Sequence, residues 1–194
     1  MPKEDWVKNP VHQILEKNNL WLESVVETAL DVACGLSLKS QYLKPSYIVG
    51  VDIHEPYLKA IDYSGPYTAI KYDVRNVGEL FLDNSFDVVY ALDIIEHLEK
   101  DESLHLIKEC KRIAKQAVVI ETPKGFVPQN IDIQGFDADH WQTHRCGWEV
   151  DELEELGFKC VTRPYKMVDV KRHTEIDVSC DIELINGIYI KGDK

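Results

Sequence analysis

The feature that most constrains this chain is an alternation, between residues 28 and 121, of short apolar runs with stretches of helical period. The runs are Thr28–Ala33, Tyr47–Ile53, Thr68–Tyr72, Asp87–Leu92 and Ala117–Glu121. The stretches between them predict helices over Leu36–Leu43, Pro56–Tyr63 and Asp101–Ala114; the last carries the stripe Leu104, Ile107, Cys110, Ile113, with Asp101 as its cap. Parallel strands need a crossover of a dozen or so residues, usually a helix, and three of the four intervals here carry a predicted helix. The expected fold is therefore α/β, a doubly wound and mostly parallel sheet between two helical layers, α/β/α. Such a sheet takes ligands at the carboxyl ends of its strands. Polar residues of functional type stand there: Asp31 in the end of the first run, then Asp52, Asp73 and Asp93.

The flanks differ in character. Val11, Ile14, Leu15, Trp21, Leu22, Val25 and Val26 have helical spacing, which predicts a leading helix within residues 1–26, entered through Asn9-Pro10. After the fifth run, Thr122–Cys146 lacks a regular period. A loop of some 25 residues inside a compact domain is more often a binding loop or lid than a connector, so residues 122–147 are expected to serve the substrate. Trp148–Leu156 then reads as a helix stopped by Gly157, and Phe158–Met167 and Ile182–Ile190 as two strands able to pair antiparallel. No repeat or Pro/Gly/Ser linker divides the 194 residues, so one domain over 1–194 is expected.

Composition narrows the partners. With 22 Lys and Arg against 34 Asp and Glu, the formal charge is −12, which disfavours a nucleic acid held by its phosphates. Five cysteines, an odd number with no C-x-x-C pair, favour reduced thiols over a disulfide framework or zinc knuckle. No leading apolar h-region and no run of 18 apolar residues is visible, so a soluble cytoplasmic protein without a membrane span is expected.

The first strand leads into Asp31-Val-Ala33-Cys-Gly35-Leu-Ser37, where small residues let a ligand approach the backbone before a helix begins. As a G-x-G-x-x-G fingerprint the turn is a poor match, because Ala33 and Ser37 replace glycines that a pyrophosphate needs. A nucleoside cofactor without a phosphate tolerates that change. Asp52 lies 21 residues after Asp31 and offers two acceptor oxygens to the vicinal hydroxyls of a ribose. Asp73 can accept from an adenine amino group while the Val74 N–H faces a ring nitrogen. Leu92 and Asp93 lie where backbone carbonyls can hold an amino acid moiety. One aspartate at a strand end is usually a cap or turn residue; four in this order point to a site.

Asp31-Val-Ala-Cys-Gly35, Gly50-Val-Asp52-Ile53, Tyr72-Asp73-Val74 and Phe86–Leu98, with its string Asp93-Ile-Ile-Glu96-His97-Leu98, together resemble the Rossmann-like class I methyltransferases. Within that group they look most like the small-molecule branch that includes the ubiquinone-biosynthesis O-methyltransferases, over about residues 28–125. The resemblance implies a seven-stranded sheet with an antiparallel C-terminal strand, and S-adenosyl-L-methionine as cofactor, released as S-adenosyl-L-homocysteine. It implies cofactor contacts at Ala33, Gly35, Asp52, Ile53, Asp73, Val74 and Leu92, to which position adds Asp31, Ser37 and Asp93. The expected activity is methyl transfer to a small-molecule, lipid, sugar or quinone-type acceptor, by a monomer or homodimer. Two alternatives stay open: a catalytically silent partner subunit of the same fold, and a nicotinamide oxidoreductase, which the poor pyrophosphate turn disfavours.

A sulfonium methyl is already electrophilic, so positioning is the main task and a base is needed only for a protonated nucleophile. His140, His97 and His144 are the candidate bases, with Asp93 as an orienter. His140 ranks first because it sits among Asp139, Trp141, Gln142, His144 and Arg145, a mixture too polar and aromatic for a mere connector; its alternative role is to close over the cofactor. His97 has the competing role of a helix-start residue. His140 and His144, at i and i+4, can join Glu96-His97 in a metal set, but no metal ligand is assigned at this point. Trp141, Trp148 and Tyr165 read as core and lid packing before a substrate cage.

Overall fold

Buried parallel strands must be apolar on both faces, and five of the runs above form the strands they predict. The computed structural model describes residues 17, 26–36, 46–63, 65–165, 167–169, 174–176 and 182–192. The described strands are β1 (Thr28–Val32), β2 (Tyr47–Asp52), β3 (Tyr67–Lys71), β4 (Phe86–Leu92), β5 (Ala114–Pro123), β6 (Lys159–Pro164), β7 (Met167–Asp169), β8 (Thr174–Ile176) and β9 (Glu183–Ile190). Helices α1 (Glu55–Ala60), α2 (Lys100–Ile113), α3 (Asp139–Gln142) and α4 (Val150–Glu155) and a 3₁₀ turn, Val74–Glu79, lie between them. The expected helices over 11–26 and 36–43, and with them Ser37, fall outside the described residues except at Lys17, Val26 and Leu36.

Seven strands make one sheet in the order β3-β2-β1-β4-β5-β9-β6, and β7 pairs with β8 in a separate hairpin. β1 to β5 pair in parallel, while β9 is antiparallel to both β5 and β6. β9 alone therefore reverses direction in the sheet, as an antiparallel C-terminal strand. Alternate residues of the central strands feed two cores. Leu30, Val51, Val89 and Ile120 face one side with Leu106, Ile107 and Cys110 of α2, and Ala29, Ile48, Val88 and Val119 face the other. This is the α/β doubly wound, Rossmann-like architecture.

Several boundaries move for local reasons. β5 spans Ala114–Pro123, longer than the apolar run, because its end residues Ala114 and Pro123 still pair with Phe86 of β4 and Leu184 of β9. Helix α2 starts at Lys100 with Glu99, not Asp101, at its N-cap: the Glu102 carboxylate reaches back 3.1 Å to the Glu99 N–H. The same device, Glu149 with Glu152, starts α4 at Val150, so Trp148 precedes the helix. Gly157, at φ 82°, follows the end of α4 in the left-handed region that favours glycine. The 122–147 segment is partly ordered by structure of its own, since Thr122 and Pro123 belong to β5 and Asp139–Gln142 to α3.

Asp87 ties the entry of β1 to β4. Its Oδ2 accepts the N–H groups of Glu27 and Thr28 at 2.9 and 3.0 Å. Burial raises its pKa, but these N–H donors and the Gln116 and Thr28 side chains outweigh burial and bring it from 3.8 to about 2. The folded value lies below the unfolded one, so this contribution is complete above about pH 3.8 and is lost as pH falls through about 2. Asp87→Ala should cost about 1–3 kcal/mol by leaving two backbone donors without their acceptor. Thermal melts between pH 5 and pH 2 check it: the variant starts lower and loses less on acidification.

Candidate functional site

β1, β2 and β4 end side by side, because Asp31 is in register with Gly50 of β2 and Tyr90 of β4. A cleft with two adjoining lobes, of about 440 and 290 Å³, opens at those carboxyl ends. The lobes share Ala33, Gly35, Tyr57, Asp93, His97 and Gln142, so they lie directly against each other. The narrow lobe takes in Asp52, Ile53, Asp73 and Val74, and the wide lobe Asp31 and Leu92. All the expected cofactor residues except Ser37, which lies outside the described residues, line this cleft.

The turn after β1 is held from both sides. Ala33 (φ 55°) and Gly35 (φ 51°) are left-handed, and the Cys34 N–H between them donates to Val51 O at 3.0 Å. Ala33 adopts this conformation at a cost of about 1–2 kcal/mol that glycine would not incur. The Gly35 N–H donates to Asp52 Oδ2 at 2.8 Å and the His54 N–H to Oδ1 at 2.7 Å. Each Asp52 oxygen so keeps a lone pair for a ribose hydroxyl. Burial raises the Asp52 pKa, and the two N–H bonds oppose the rise. Asp93 is left-handed too (φ 55°), its N–H donating to Glu121 O at 2.9 Å, which sets the bend that carries the chain from β4 across the cleft.

Asp73 is more committed than its position suggested. Oδ1 accepts the Arg75 backbone N–H and Nε, both at 3.0 Å, and Oδ2 accepts Nε and Nη2 at 2.9 and 2.5 Å. The Nε–H is shared between the two oxygens, so three N–H groups of Arg75 engage the carboxylate and leave room for at most about one further donor. The Val74 N–H carries no such competition from Arg75.

The three histidines separate. His140, exposed on α3, stacks edge-on against Trp141 and lines only the narrow lobe. His144 lines only the wide lobe, and His97, 6% exposed, borders both. Their rings meet edge to face, 4.6 Å between centroids. Burial, with His144 adding to it, brings the His97 pKa down to about 4, so its ring is neutral at physiological pH. Burial lowers His144 as well. Arg145 fixes this arrangement: its guanidinium donates to the carbonyls of His97, Thr143 and His140 at 2.5, 2.9 and 2.7 Å.

Some residues of the site escape sequence reading. Asp132 organises the loop over the cleft, accepting the Tyr57 hydroxyl at 2.6 Å, the Phe136 N–H at 2.6 Å and the Gln134 N–H at 2.9 Å. Its one sequence signal is Asp132-Ile-Gln-Gly135, a turn pattern with aspartate first and glycine fourth. His54, whose Nε2 bonds Phe136 O at 2.7 Å, has no comparable signal.

The cleft at the strand ends and the single reversed strand define a Rossmann-like architecture. More narrowly, the chain carries the class I S-adenosylmethionine-dependent methyltransferase fold, and residues 30–120 match the family model described as a methyltransferase domain. Among solved structures it is similar to a SAM-dependent methyltransferase from Archaeoglobus fulgidus, at 18% identity and TM-score 0.56, over 94% of each chain. It is similar also to the 1,6-didemethyltoxoflavin-N1-methyltransferase of Burkholderia thailandensis, solved with its substrate and S-adenosylhomocysteine: 16% identity, TM-score 0.60, 97% of this chain and 80% of that one. A third is the magnesium protoporphyrin IX methyltransferase of Synechocystis PCC 6803 with bound SAM: 15% identity, TM-score 0.52, 92% of this chain and 76% of that one. No curated protein sequence matches. Among the described residues no helix is long and apolar enough to cross a membrane.

Proposed function

We propose that this protein transfers the methyl group of S-adenosyl-L-methionine to a small-molecule acceptor. The observation that carries the proposal is the adjacency of the two lobes: one lined by Asp52, Ile53 and Val74 adjoins, along Ala33, Gly35 and Asp93, a wider one. A ligand with its ribose on Asp52 and its amino acid moiety near Asp31 and Leu92 presents its sulfonium to the wide lobe. The Burkholderia and Synechocystis enzymes, whose structures hold S-adenosylhomocysteine and SAM, support this use of the fold. An acceptor in the wide lobe meets the neutral rings of His97 and His144, while His140 sits over the nucleoside as part of the lid. Asp73 orders Arg75 and the 3₁₀ turn that presents the Val74 N–H to adenine.

Calorimetric titration with S-adenosylhomocysteine tests this. Saturable binding at one site per chain is expected, and no heat at millimolar ligand, in protein shown to be folded, would sink it. Stabilisation by NADH without stabilisation by S-adenosylhomocysteine would favour the oxidoreductase instead.

A further inference from the structure

The loop between Gln129 and Gln142 contributes to both lobes of the cleft. Ile133 and Gln134 line the wide lobe, and His140 and Trp141 the narrow one. At the base of the loop the Gln129 side-chain amide donates to Gln142 O at 3.0 Å and the His144 N–H to Gln129 O at 2.9 Å, which brings its two ends together. At its tip Asp132 folds the loop onto itself, accepting the N–H groups of Gln134, Phe136 and Ala138 at 2.9, 2.6 and 3.2 Å.

Among the described residues, only two side chains outside the loop hydrogen-bond to residues 130–138, and both follow Asp52 closely in the chain. The Tyr57 hydroxyl donates to Asp132 Oδ1 at 2.6 Å, and the His54 Nε2–H to Phe136 O at 2.7 Å. The Tyr57 ring also meets Phe136 edge-on, with 5.5 Å between centroids. Tyr57 is 3% exposed and borders both lobes. Burial, with the Asp132 carboxylate adding to it, raises the Tyr57 pKa, so its hydroxyl stays a donor. His54 is held from the other side, its backbone N–H donating to Asp52 Oδ1 at 2.7 Å. One short segment, Asp52–Tyr57, thus carries the carboxylate proposed for the ribose and fastens the loop across the cleft.

We propose that Tyr57 and His54 are positioning residues that latch the 129–142 loop over the cleft, and that release of this latch limits exchange of S-adenosylmethionine and S-adenosylhomocysteine. The latch stands on the loop's own bonds; its part in exchange rests on the cofactor reading above. With so few outside bonds, the tip unfastens from α1 while the sheet and the base of the loop stay intact. A cofactor lying between Asp52 on one side and His140 and Trp141 on the other touches both faces of the closed form, and so shifts the loop towards it. Ile133 and Gln134 ride on the same loop, so its closure also completes the acceptor side.

Chymotrypsin cuts after Phe136 and Trp141 and reads loop opening with no ligand present, the cuts being located by mass spectrometry. Tyr57→Phe should raise cleavage there about 10-fold, since it removes a bond to a carboxylate, and His54→Ala a few-fold. His54→Gln, whose amide can donate to Phe136 O, should stay near wild type. In stopped-flow tryptophan fluorescence, S-adenosylhomocysteine should leave Tyr57→Phe about 10-fold faster, with association no slower than in wild type. Because the opening is local, the melting temperature of the ligand-free variant should not fall. Cleavage unchanged in both Tyr57→Phe and His54→Ala overturns the latch. Faster cleavage with unchanged S-adenosylhomocysteine dissociation overturns its role in exchange, and so does slower association or a lower melting temperature, which marks damage to the site itself. Wild type that shows the latch by cleavage but binds no S-adenosylhomocysteine overturns the cofactor reading and leaves the latch standing.

Discussion

Asp52→Ala is expected to weaken S-adenosylhomocysteine binding by about 100-fold or more. Two hydroxyl donors to one carboxylate are charge-assisted bonds of about 1.5–3 kcal/mol each, and about 1.4 kcal/mol is tenfold in affinity. The same substitution removes the acceptor of the Gly35 and His54 N–H groups, so the turn after β1 loses its brace as well. Both effects act in the same direction. Asp52→Asn separates them, since an amide keeps one carbonyl oxygen for a backbone donor but loses charge and an acceptor. It should fall between wild type and Asp52→Ala. Calorimetry with S-adenosylhomocysteine, with a thermal melt on each variant, reads the result. A folded Asp52→Ala variant with unchanged affinity would show that the ribose does not sit there.

The largest loss of stability is expected from Trp148→Ala, at about 3–5 kcal/mol. That is a large share of the 5–15 kcal/mol by which domains are ordinarily stable. Trp148 is 1% exposed; its Nε1–H donates to Ile95 O at 3.2 Å, and Lys100 Nζ lies 3.4 Å from its ring centroid. Its carbonyl accepts the Gly125 N–H at 2.7 Å, joining the segment after β5 to the β4–α2 connection. Removing the ring leaves a cavity that a sheet and two capped helices cannot close. Trp148→Phe keeps most of the apolar volume and loses the indole bond, so its cost should be nearer 1 kcal/mol. Urea unfolding of the three proteins orders them.

The strands were legible because a buried parallel strand has to be apolar on both faces, whatever packs against it. Val88-Val89-Tyr90-Ala91 is such a run, and each of these residues is at most 1% exposed. Capping was less legible: Asp101 is the more usual cap type, yet Glu99 takes that place because Glu102 can reach back to it. The 3₁₀ turn Val74–Glu79 leaves no period to read, and its start is fixed by the Asp73 side chain accepting the Arg75 N–H. The β7–β8 hairpin, in a stretch the sequence did not divide, depends on pairing rather than on composition.

The placement of Asp52 and Val74 in one cleft was readable in the sequence because a parallel sheet brings strand ends to one edge, so chain order becomes spatial order. The histidines were not. His97 and His144 stand 47 positions apart in the sequence and meet only because the Arg145 N–H bonds Glu96 O, at 2.8 Å, and its guanidinium holds the carbonyls around them. The spacing of His140 and His144 pointed the other way, since i, i+4 matters only inside a continuous helix. Local patterns in this chain determined the sheet and the edge at which Asp52 and Val74 line the narrow lobe. The meeting of His97 and His144 beside the wide lobe was decided by contacts between residues far apart in the sequence, which only the folded chain brings within bonding distance.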